Sequence, residues 1–115
     1  MVDVTDATFE QEVMARSMQV PVVIDLWATW CQPCVALGPI IERAVAATNG
    51  QVVLAKVDVD ANPQVGAAFR VQSIPAVFAM HQQKIVDLIR DTCREENIAL
   101  LMVTHSMEVA NQFQR

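Results

Sequence analysis

The chain has little glycine, no basic cluster, no long apolar run and an odd number of cysteines, and each shortage excludes something. Only three of 115 residues are Gly, while 53% are apolar. That composition belongs to a compact globular domain rather than to a disordered or low-complexity chain. A formal charge of −5, with no basic patch to offset it, argues against a nucleic-acid surface. No apolar run approaches the roughly 18 to 20 residues of a membrane span. The start, Met1-Val2-Asp3-Val4-Thr5-Asp6, is acidic and lacks the regions of a signal peptide, so a cytoplasmic location is expected. Three Cys do not make a structural disulfide framework. The length suits one domain spanning 1–115 with one core, expected to be monomeric.

What is present is an alternation of strand and helix patterns. Thr5 can cap a helix over 6–17 with Phe9, Val13 and Met14 facing inward. Pro21 opens Val22-Val23-Ile24-Asp25-Leu26-Trp27, an apolar run suited to a central strand covered on both faces. A helix begins within 31–33, runs to about 48 with Pro39 kinking it, and ends at Asn49-Gly50. A Val-rich strand over 52–59 follows. Asn62-Pro63, an N-cap with Pro at the first helical position, starts a short helix to about 69. Ile74-Pro75 precedes a strand over 76–80. From His81 the pattern changes. Ile85, Leu88, Ile89, Thr92 and Cys93 share one helical face over 82–96, with Lys84, Asp87, Arg90, Arg94 and Glu95 largely elsewhere. An apolar strand over 98–103 and a helix over 107–114, capped by Ser106, complete an α/β layered order. The bland reading of Cys93 is a small core residue.

The chemistry concentrates at Trp30-Cys31-Gln32-Pro33-Cys34. Two cysteines two residues apart, at the junction of a buried strand and a helix start, form a dithiol that can close and reopen. The thiolate is the attacking species. Cys31 stands where unpaired helix N–H groups and the positive end of the macrodipole favour an anion. Cys34, one turn further in, is placed to resolve a mixed disulfide. Asp25 is a carboxylate inside an apolar strand; burial raises its pKa and makes it a candidate proton acceptor for Cys34. Its bland reading is a solvated strand-edge Asp. Zinc is the competing reading for the cysteines, but a structural site needs four ligands, and the chain offers no second Cys pair and only His81 and His105.

These residues carry a resemblance. Asp25-Leu26-Trp27-Ala28-Thr29-Trp30-Cys31-Gln32-Pro33-Cys34, Pro39, Lys56-Val57-Asp58-Val59-Asp60, Asn62-Pro63 and Ser73-Ile74-Pro75 resemble the thioredoxin family, within residues 1–80. The likeness is greatest to the thioredoxin-like domains that begin certain bacterial co-chaperones. The resemblance implies that Cys31 is the nucleophile, Cys34 the resolving thiol and Asp25 the buried carboxylate. It also implies a cis Ile74–Pro75 bond facing the dithiol, with Trp30, Pro33, Ile74 and Pro75 at the substrate groove. Partners would be disulfide-containing proteins or peptides, with no cofactor, metal or nucleotide. Two departures bear on activity: Gln32 replaces the usual Gly and Val35 the usual Lys.

The tail departs further. No Gly follows Gly66, so the Gly-containing hairpin that ends a thioredoxin is not expected. Ile85-Val86-Asp87-Leu88-Ile89-Arg90, Asn97-Ile98-Ala99-Leu100-Leu101-Met102-Val103-Thr104-His105-Ser106 and Met107-Glu108-Val109-Ala110 resemble the end of an ABC transporter ATPase domain. The phosphate loop, the acidic pair and the signature loop of such a domain are missing, so nucleotide hydrolysis is not implied and His105 reads as an exposed strand-end residue. Residues 1–80 and 81–115 thus read as an engineered chimera. The expected fold is a thioredoxin-like layered sandwich with a five-stranded mixed sheet. Its C-terminal hairpin and helix would be replaced by helix–strand–helix, with strand 98–103 parallel beside strand 76–80. Three functions fit: residual thiol–disulfide oxidoreductase chemistry, a designed scaffold without selected activity, or a peptide-binding module.

Overall fold

Strand β2, Val22–Trp27, is the centre of the molecule, and the rest is arranged by what covers its two faces. A computed structural model describes residues 1–90. Its sheet has five strands in the order β1-β3-β2-β4-β5: β1 (Val2–Asp3), β2, β3 (Val53–Asp58), β4 (Ala76–His81) and β5 (Lys84–Arg90). β1 and β2 run parallel to β3, β4 runs antiparallel to β2, and β5 antiparallel to β4. The five-stranded mixed sheet is therefore as expected.

Side chains alternate across a strand, so β2 serves two cores. Val22, Ile24 and Leu26 join Val13, Ala55, Val57, Val65, Ala76, Phe78 and Met80 on one face. Val23 joins Leu37 and Ile41 of helix α1 (Gln32–Ala46), with Leu54 and Val77, on the other. The first core is closed by a helical segment whose turns are wide at Glu10–Ala15 and tight at Arg16–Met18. Val13 is buried there, and Phe9 and Met14 are partly so, as their spacing predicts. Thr5 Oγ1 accepts the Thr8 N–H at 3.2 Å, which starts this segment. Pro39 lies within α1 on its exposed side, and Asn49 and Gly50, both at positive φ, end the turn that follows.

Helix α2, Pro63–Ala68, is begun by a residue distant in sequence. Asn62 makes no side-chain cap, contrary to expectation. The Asp6 carboxylate instead accepts the N–H groups of Val65 at 2.9 Å and Gln64 at 3.3 Å. Asn62 Oδ1 in turn accepts the Asp6 N–H at 2.9 Å. Two segments remote in the chain thereby cap one another.

The largest correction falls after His81. The expected helix over 82–96 is overturned within the described residues: Lys84–Arg90 is a strand, paired antiparallel to β4 from His81↔Lys84 to Ala76↔Arg90. Leu88 is the extra residue of a bulge opposite Val77/Phe78 and packs against the α1-side core. The hairpin forms without glycine because Gln82 and Gln83 take left-handed φ of 53° and 63°, the two-residue turn that matches strand twist. Each costs about 1–2 kcal/mol relative to a right-handed residue. Ser17 offsets this: its carbonyl accepts the Gln82 N–H at 2.7 Å and its Oγ the Gln83 N–H at 3.2 Å. The edge of β4 expected to take a strand over 98–103 is occupied by β5. That strand, the helix over 107–114, Thr92, Cys93 and His105 lie outside the described residues.

Two stability outcomes follow from these contacts. Gln83→Gly relieves a left-handed position and should raise stability by about 0.5–1 kcal/mol after the entropy of Gly in the unfolded chain is counted. Asp6→Ala leaves the first turn of α2 uncapped and should lower stability by about 1–2 kcal/mol. Urea denaturation curves check both.

Candidate active site

The end of β2 and the start of α1 bring the dithiol into place. Cys31 is the N-cap of α1, extended at φ −89° and ψ 101°, with Pro33 in the first turn behind it. Cys31 and Cys34 are joined by a disulfide, with Cα atoms 5.2 Å apart. Both are nearly shut from solvent, at 4% and 3% exposure, so exposure does not tell them apart. Position does. The Cys34 N–H donates to Cys31 Sγ at 3.3 Å, directing a free helix N–H and the positive helix end at that sulfur. A donor in that position stabilises negative charge on the sulfur it faces.

Around the disulfide lie Ala28, Trp27, Val59 and Ile74. Ile74–Pro75 is cis, and Pro75 is buried. Trp30 is 65% exposed, yet held: its Nε1–H donates to Asp60 Oδ2 at 2.7 Å, and the Asp60 N–H is held by Asp58 Oδ1 at 3.0 Å. A shallow groove of about 280 Å³ runs from Trp30 past Val59, Gly66 and Val71 to Ser73 and Ile74. Of the four expected groove residues, Trp30 and Ile74 line it. Pro33 is half-buried at the helix start, and Pro75 lies in the buried run that opens β4. Gln32 and Val35, the two departures, are both exposed beside the dithiol.

Asp25 lies on the α1 side of β2, one step along the same face from Trp27, and is 1% exposed. The reading of it as a solvated edge residue is therefore overturned: β2 has a neighbour on each side. Its Oδ2 has no hydrogen-bond partner among the described residues. Burial pushes its pKa from 3.8 up to about 6; Lys56 opposes the rise and Glu42 adds to it. Lys56 is paired with Glu42 at 2.9 Å, and its Nζ stands 5.2 Å from the Trp27 ring centre.

Lys56, Glu42 and Asp60 were given no role at the site from the sequence, although Lys56 and Asp60 stand in the 56–60 stretch that carries the resemblance. Lys56 carried the one available signal, a cation in an apolar strand. Glu42 and Asp60 read as ordinary polar positions of a helix and a loop. Among the described residues, no three His, Cys, Asp or Glu side chains gather as metal ligands, and no helix is long and apolar enough to cross a membrane.

Known proteins share this arrangement at the level of sequence. The family profile described as Thioredoxin matches residues 1–104. Thioredoxin 1 of Nostoc sp. is 37% identical over 86 residues, covering 75% of this chain and 78% of that protein. Thioredoxin 1 of Synechococcus elongatus is 34% identical over 102 residues, covering 89% and 94%. Thioredoxin of Staphylococcus aureus is 34% identical over 105 residues, covering 91% and 97%. The profile match runs through the joint expected between Met80 and His81, so it lends a composite origin no support.

The buried carboxyl makes stability depend on pH. Between 3.8, the ordinary value, and about 6, the folded chain keeps a proton that the unfolded chain releases. Stability therefore falls as pH rises across that window, by on the order of 3 kcal/mol in all, and is level above it. Asp25→Asn should remove this slope and leave the variant more stable than the parent at pH 7. Denaturation midpoints compared at pH 4 and pH 7 check it; a parent as stable at pH 7 as at pH 4 would contradict the buried-carboxyl account.

Proposed function

Since the chain belongs to the thioredoxin family, we propose that it is a thiol–disulfide oxidoreductase acting on disulfide-containing proteins or peptides through Cys31 and Cys34. The observation that carries this reading is the disulfide at the N-terminus of α1, with the Cys34 N–H on Cys31 Sγ. In the reduced protein the Cys31 thiolate attacks one sulfur of a substrate disulfide. A mixed disulfide forms, and the first substrate sulfur leaves and takes a proton from water. Cys34 then attacks Cys31 Sγ, giving up its proton to Asp25, and the second substrate sulfur leaves as a thiolate and takes a proton from water. The chain ends as the Cys31–Cys34 disulfide, two electrons poorer; an external dithiol restores it.

Asp25 suits that role because it is ionised above about pH 6 while facing the α1 side of β2, where Trp27 reaches the disulfide cluster. Its pKa near the working pH is what a general base needs. The Trp30–Ile74 groove supports the placement of an extended substrate strand next to Cys31. Trp30, held by Asp60, forms a fixed wall for it.

The groove also favours a second reading, peptide binding without turnover. The remaining expectations, a monomer in the cytoplasm, belong to the same proposal. An engineered joint rests on the resemblance of 81–115 alone, and the oxidoreductase reading does not depend on it.

Dithiothreitol-driven reduction of insulin separates these readings. The parent should turn over well above the dithiothreitol background, Cys31→Ser should fall to that background, and Cys34→Ser should accumulate the mixed disulfide. Alkylation of reduced Cys31 should show a midpoint below the free-thiol value of about 8.5. Parent turnover at background, with peptide still bound, would sink the enzyme in favour of the binding module.

A further inference from the structure

Asp25 and Lys56 stand directly opposite each other in the parallel pairing of β2 with β3. Adjacent strands lie about 4.8 Å apart, so a Lys side chain on the same face is long enough to bring its ammonium to the carboxylate. It does not do so: the ion pair that Lys56 forms is with Glu42 of α1, at 2.9 Å, and Asp25 Oδ2 is left without a partner among the described residues. One further feature holds the ammonium where it is. The Trp27 ring lies 5.2 Å from Nζ, a favourable distance for a cation over an aromatic face.

We propose that Glu42 is a positioning residue: by holding the Lys56 ammonium against α1 it keeps that cation from pairing with the Asp25 carboxylate. The catalytic consequence rests on the reading of Asp25 as proton acceptor for Cys34. An acceptor paired with a cation is a weaker base, so the tether keeps Asp25 basic enough to take the Cys34 proton. The charged and titratable groups facing Asp25 can be named element by element. From β3 they are Lys56 and Asp58, the latter occupied by the N–H groups of Asp60 and Ala61. From α1 it is Glu42; Cys34 is held in the disulfide and carries no titrating proton there. The β4 residue opposite Asp25 is Val77, which carries no charge. The signs agree with this balance: after burial, which raises the Asp25 pKa most, Lys56 lowers it and Glu42 raises it.

The alternative is that the partly buried Lys56–Glu42 pair holds nothing in place, with Glu42 acting on Asp25 only through its own charge. A double-mutant cycle on the full oxidised chain separates the two. The carboxyl carbon of Asp25 is titrated by NMR in the parent, Glu42→Gln, Lys56→Met and the double variant. Lys56→Gln replaces Lys56→Met if the latter does not fold. With a tether, Glu42→Gln frees the ammonium and moves the Asp25 midpoint down by roughly one unit, and most of that movement disappears when Lys56 is absent. An equal movement in both backgrounds, or none in either, overturns the tether. The pH profile of insulin reduction supplies the second readout. If it follows the carboxyl midpoint in Glu42→Gln, both the tether and the proton-acceptor role stand. If the carboxyl moves as expected and the reduction profile does not, the tether stands and the proton-acceptor role of Asp25 falls.

Discussion

Burial of β2 on both faces is the constraint on which the rest of the structure depends. A strand enclosed in this way needs a helical layer on each side and paired neighbours on each edge. β3 and β4 supply the edges; α1 supplies one face and the N-terminal helical segment with α2 the other. The chain leaving such a strand must turn back at once to cover it. Residues 28–31 make that turn, and α1 therefore begins at the mouth of the sheet with its N–H groups directed at Cys31. The dithiol is thus a by-product of covering the central strand as much as a local motif.

The same burial makes Asp25 unusual. A carboxylate in water has no reason to keep a proton at pH 5. One held in an apolar layer does, because ionisation there forfeits hydration that only charges or donors could replace. The fold provides a cation within reach and then engages it elsewhere, between Glu42 and the Trp27 ring. The site therefore balances a desolvation cost against a withheld compensation. On the proposed reading of Asp25, that balance sets how readily it takes the Cys34 proton.

The groove is held differently, by contacts that bring loops together. Trp30 is fixed by Asp60 at the far end of β3, and α2, which supplies Gly66 and Ala67 to the groove wall, is capped by Asp6 near the chain start. None of these partners lies in the element that carries the residue it holds. Of the exposed parts of the site, Trp30 rests on this frame, while Gln32 and Val35 ride on α1.

The sequence by itself determined the central strands, the helix after them, the dithiol at their junction and the carboxylate inside the sheet. These depend on short-range physics: continuous apolar runs need cover on both faces, and Pro, Asn and Gly mark the element ends. Tertiary structure alone decided the direction of 84–90. Ile85, Val86, Leu88 and Ile89 suit a helical stripe as well as a strand, and a hairpin at Gln82-Gln83 has no local signal without glycine. Ser17, 66 residues away from Gln83, supplies the acceptors that make it possible. The Asp6 cap on Val65, separated by 59 residues, the Trp30–Asp60 contact, separated by 30, and the Lys56–Glu42 pair, separated by 14, were hidden for the same reason. Each joins residues whose encounter is arranged by packing of the sheet, and no period or spacing along the chain records it.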